Sequence, residues 1–186
     1  MYSFVGNLAL DLLSAINSKV LKEIPDIQYS CRVDDVSVNR AVYSVSYSIP
    51  KHNVFCILEI NVIQYDPPDL CFEVYADYRE YDFKKPDLHK INIEHLMSQY
   101  ANLRPIITEG ITHYYSIDEN KKTYCIKPTA DRYFKVRYRA VEEYDKEDDR
   151  HVTDYGFEEM ANRAYPCIKS LYDIYQIVHP RKLERI

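Results

Sequence analysis

"AVYSVSYSIP" spans residues 41–50, and its period decides the fold. Ala41, Tyr43, Val45, Tyr47 and Ile49 share one parity, while Ser44, Ser46 and Ser48 share the other. Side chains alternate across a strand, so this segment has one apolar face and one polar face. A strand buried on one side and wet on the other is the signature of an antiparallel sheet.

The same period recurs on both sides of this segment. Tyr29, Cys31 and Val33 predict a partner strand before it, joined through the polar "DDVSVN". "VFCILEINVIQY" (54–65) is apolar on both parities at its start, which predicts a central strand. "YDPPD" reads as a turn, with Pro fixing φ and Asp accepting from the backbone. "LCFEVYADYREYDF" (70–83) alternates again, with Phe72, Val74, Ala76 and Tyr78 inward. These four strands form a meander. Further on, "ITHYYSI" and "TYCIK" flank "DENKK" and predict a hairpin in which Ile117 pairs with Thr123. "RYFKVRYRAVEEYDKEDDR" (132–150) supplies the next strand.

Three segments have helical period instead. Over residues 4–22, Val5, Leu8, Leu12, Ile16 and Val20 fall on one face, and Pro25 ends the run. A second helix is predicted over 93–103, with Asn92 as N-cap and Pro105 as its stop. A third covers 155–178 with Asp154 as cap; its apolar face keeps register across Pro166, so one bent helix is expected. Strands and helices are grouped rather than alternating. The expected class is α+β, with an antiparallel sheet of about seven strands (four plus three) and helices at the N-terminus, middle and C-terminus. The 186 residues fit one domain over 1–178, followed by a basic tail over 179–186.

Composition narrows the function. Asp plus Glu outnumber Lys plus Arg by 29 to 24, so the surface as a whole carries no field for nucleic acid. Nineteen tyrosines and no tryptophan fit a Tyr-rich sheet. The five cysteines are widely spaced and odd in number, and four sit in apolar strand-like stretches. They read as free thiols packed as small hydrophobes in a reducing, cytoplasmic compartment. The N-terminus has no basic leader, and Asp11 interrupts its apolar run, so neither a secretory signal nor a membrane span is expected.

The usual catalytic patterns do not assemble. Only three glycines occur, each isolated, so no phosphate-cradling loop exists and no nucleotide cofactor is implied. No two of the six histidines have zinc-ligand spacing and no Cys-x-x-Cys pair accompanies them, so no metal is expected. Pro68-Asp69 followed by Glu73-Val74-Tyr75 lacks the lysine of a nuclease core. Paired acids such as Asp34-Asp35 and Glu142-Glu143 point apart on a strand. His113 and Cys125, on the two arms of the predicted hairpin, are the one candidate base and nucleophile.

The 132–139 strand remains. Tyr133, Lys135, Arg137 and Arg139 fall on one parity, and Phe134, Val136 and Tyr138 on the other. Six basic residues in the wider segment 131–151 are offset by seven acidic ones, so it is dipolar rather than basic. The expected arrangement is an inward aromatic face and a solvated basic face, whose charges also guard a sheet edge. The leading functional reading is a non-enzymatic protein-interaction domain: an adaptor, immunity or inhibitor protein, chaperone-like protein or viral accessory factor. Tyr133, Lys135, Arg137 and Arg139 would meet an acidic protein partner, and a homodimer is expected. The alternatives are an RNA- or DNA-binding factor using this strand, and an enzyme built on Cys125 and His113.

Overall fold

The computed structural model describes residues 3–50, 54–65, 69–81, 86–114, 129–145 and 152–180. The chain runs α1 (Phe4–Glu23), β1 (Gln28–Val36), β2 (Arg40–Ser48), β3 (Val54–Gln64), β4 (Leu70–Tyr81), α2 (Pro86–Gln99), β5 (Ile106–Tyr114), β6 (Thr129–Asp145) and α3 (Val152–Val178). The strands form one antiparallel sheet in the order β1-β2-β3-β4-β6-β5. The class is therefore α+β, as the sequence periods require.

Six strands are described where about seven were expected, and the difference lies in the second group. β5 pairs with β6 from Ile106 opposite Arg137 to Tyr114 opposite Thr129. The predicted strand "TYCIK" and the Ile117–Thr123 pair lie outside the described residues. β6 is 17 residues long and pairs with both β4 and β5. It is an interior strand, so its charges guard no edge, contrary to expectation. Among the described residues the edges are β1 and β5.

β2 follows its sequence pattern closely. Ala41, Tyr43, Val45, Tyr47 and Ile49 are buried, and the three serines are half-buried. Phe72, Val74, Ala76 and Tyr78 in β4, and Val136 and Tyr138 in β6, are buried on the same side. Three bulges adjust the phase. Asp34, Phe55 and Ala140 are the extra residues in β1, β3 and β6. After Ala140 the inward parity of β6 switches, so Ala140 and Val141 are both buried.

Helices α1 and α3 pack on each other and on this apolar side. The Ser3 hydroxyl caps α1 by accepting from the Gly6 amide at 3.2 Å. By length and composition α1 could cross a bilayer, but half of that stretch is buried in the fold. α2 begins at Pro86, seven residues before the predicted start, and Asn92 lies inside it. A proline at the first helical position forfeits no intrahelical bond, so Pro86 suits the start of this helix. α3 likewise begins at Val152, which places Asp154 inside the helix rather than at its cap. It runs without interruption through Pro166.

Five of the nineteen tyrosines, Tyr43, Tyr47, Tyr78, Tyr138 and Tyr175, are buried in this core. Tyr43, Tyr47, Tyr138 and Tyr175 are among the largest fully buried side chains, with Phe55 and Phe72. Phe55 lies edge-on to Tyr172, with ring centroids 5.3 Å apart, and Tyr78 is edge-on to Tyr175 at 6.3 Å. A buried hydroxyl needs a partner. Tyr47 donates to Asn17 Oδ1 of α1 at 2.5 Å, and Tyr138 shares a 2.6 Å bond with the Ser170 hydroxyl of α3.

Candidate functional site

The helices cover one side of the sheet, and among the described residues no helix covers the other. That open side carries the outward parity of each strand. β6 contributes Lys135, Arg137 and Arg139, and the adjacent β4 contributes Glu73, Tyr75 and Asp77.

These side chains organise one another. The Arg137 guanidinium lies over the Tyr75 ring, 4.3 Å from its centroid, and that of Arg139 is 5.6 Å away. A planar cation over an aromatic face is held by the ring quadrupole. Asp77 Oδ1 is buried without a hydrogen bond; Arg137 Nε at 3.7 Å and Lys135 Nζ at 3.8 Å offset its charge. Arg139 bonds Glu142 at 2.8 Å, and this carboxylate strengthens its hold on its proton. Towards the centre of the sheet, Arg40 donates to Asn61, which donates to Glu73 at 2.9 Å. The Tyr75 hydroxyl also reaches Glu73, at 3.4 Å. A recess of about 370 Å³ opens beside this cluster where β3 and β4 stop pairing. Val54, Phe55, Ile57, Asp77 and Lys135 line it.

Three of the four predicted site residues therefore meet on one face. Tyr133 pairs with Tyr81 and Gly110 in the backbone register, and its side chain lies outside the described residues. Tyr75, Asp77 and Glu73 were missed. The alternation of β4 marks them as outward, but nothing local says that β6 lies beside them, some 60 residues on in the chain.

The second predicted constellation is not brought together by what is described. The backbone of His113 pairs with Ala130, while its side chain and all of Cys125 lie outside the described residues. The other four cysteines are free. Cys56, Cys71 and Cys167 are buried as expected, but Cys31 is exposed on the edge strand. All four thiols are shifted upwards, chiefly by desolvation, and Cys167 reaches about 12. Such thiols carry little thiolate at neutral pH and are poor nucleophiles. Among the described residues no group of three or more His, Cys, Asp or Glu converges on a metal site.

Comparison with protein-family models, with curated proteins and with solved structures finds no match to this chain.

Proposed function

We propose that this domain binds another protein through the open face of its sheet, without catalysis of its own. It would serve as an adaptor, inhibitor, chaperone-like or accessory factor in a reducing cytoplasm. The observation that supports this reading is the Tyr75–Arg137–Arg139 cluster. Tyr and Arg are the residue types that dominate interface hot spots. Here they are ordered before any partner arrives, which lowers the entropy cost of binding. Arg137 and Lys135 stand beyond hydrogen-bond length from Asp77, so they retain donors for an acidic partner surface.

Nucleic acid is the second reading, and the charge balance argues against it. Lys135, Arg137 and Arg139, with Arg79 and Arg40 on the same face, are largely offset by Glu59, Glu73, Asp77 and Glu142, so this face has no strong basic field. The double variant Arg137→Glu/Arg139→Glu tests both. Cross-linking mass spectrometry from cells should recover a protein partner with the wild type and lose it with the variant, at unchanged thermal stability. Equal capture by both would remove the open face from the proposal. Binding of single-stranded RNA that weakens steeply with salt, and vanishes in the variant, would replace it with the nucleic-acid reading.

A further inference from the structure

The sheet ends at β1, and this edge differs from the rest of the covered side. All nine residues of β1 are exposed. On the helix-side parity it carries Tyr29, Cys31 and Val33, opposite the buried Tyr47, Val45 and Tyr43 of β2. Tyr29 is 48% exposed and Val33 55%, although both are residue types that strands normally bury. Neither helix reaches far enough to cover them. Among the described residues no strand pairs with the outer side of β1, and an unpaired edge with one apolar face is a template for another strand.

We propose that β1 pairs antiparallel with β1 of a second copy, about a two-fold axis at Cys31. Two six-stranded sheets then become one continuous sheet. The argument for a second copy is that β1 complements itself in this register. Tyr29 falls opposite Val33 twice, an aromatic pair with a β-branched residue, and Cys31 falls opposite Cys31. On the other face Arg32 falls opposite Ser30, and Gln28 opposite Asp34. The Arg32 charge is already offset within its own chain by Asp34 at 2.5 Å. Other registers are worse. Advancing by two residues sets Arg32 against Arg32, and like charges directly opposite destabilise a pair. Retreating by two sets Val33 against Ile27, outside the strand. The bulge at Asp34 bends the edge and ends the run, so a short pairing centred on residues 29–33 results. This interface involves none of the open-face cluster and stands independently of the function proposed above.

The test uses the full chain at tens of micromolar. Light scattering should give the mass of two chains, and Val33→Asp should halve it while leaving the circular dichroism of the fold intact, since Val33 is exposed. Oxidation with copper phenanthroline should trap a covalent dimer that Cys31→Ser abolishes, because only this register places Cys31 against itself. A monomer mass throughout would overturn the proposal. So would a dimer that Val33→Asp leaves unchanged. A dimer that Val33→Asp dissolves but that Cys31 does not cross-link would overturn the register.

Discussion

Leu58 and Ile57 are adjacent in β3, yet Leu58 is fully buried on the helix side and Ile57 is 48% exposed on the open side. The same contrast runs across the interior strands. On the covered side, apolar and tyrosine side chains fill the space beneath α1 and α3, with the Tyr47 and Tyr138 hydroxyls bonded to helix residues. On the open side, polar side chains bond laterally along and between strands, as in the Arg40–Asn61–Glu73 chain. Folding free energy comes mainly from area removed from water, so stability concentrates on the first side. The second can vary its chemistry at little cost, which suits recognition.

The sharpest way to break this comparison is to truncate the two neighbours in β3. Leu58→Ala should cost about 2–5 kcal/mol, because it empties a packed site. Ile57→Ala should stay within about 0.5 kcal/mol, as for most exposed positions. Urea midpoints measure both; equal losses would mean the two faces are not distinct.

Alkali should act through the covered side. Burial raises the Cys167 thiol from 9.0 to about 12 and the Tyr138 phenol from 10.0 to about 12. Burial also raises the Cys56 thiol and the Tyr47 phenol. In each case the folded state holds its proton after the unfolded chain has released it. Stability is therefore fully present below about pH 9 and falls as pH rises towards 12, at up to about 1.4 kcal/mol per pH unit for each group. Urea midpoints at pH 8, 10 and 11 should show this fall. Cys167→Ala should make it shallower between pH 9 and 10, and an unchanged slope would contradict the burial of that thiol.

The smallest effect belongs to the open side. Arg137→Ala removes a ring contact and a loose ion pair that are both partly solvated, so about 1 kcal/mol or less is expected. A double-mutant cycle with Tyr75→Leu isolates the stacking contribution. A coupling well above this value would mean that the open face also holds the fold together.

How far the sequence could be read differs from element to element. In β2, β4 and the 136–140 part of β6, parity alone identifies the inward side chains, because alternation is a property of the strand itself. The N-terminal helix is equally legible from its apolar stripe. The start of α2 was not, because a proline can end one element or begin another, and the local sequence does not decide which. β1 has the same apolar parity as its neighbours, yet it is exposed. Whether that parity is buried depends on how far α1 extends over the sheet, and no local pattern encodes that.

The candidate site divides in the same way. The outward row of Lys135, Arg137 and Arg139 is legible from alternation, and so is the outward position of Tyr75 and Asp77. Their meeting is not, because β6 enters the sheet between β4 and β5 rather than following the order of the chain. The sequence by itself determined the periods, and with them the class of fold and the face each side chain takes. The tertiary structure alone decided which strands are neighbours and which strand is left as an open edge. Periodicity reflects local backbone geometry, whereas strand adjacency is selected by the burial of the whole covered face at once.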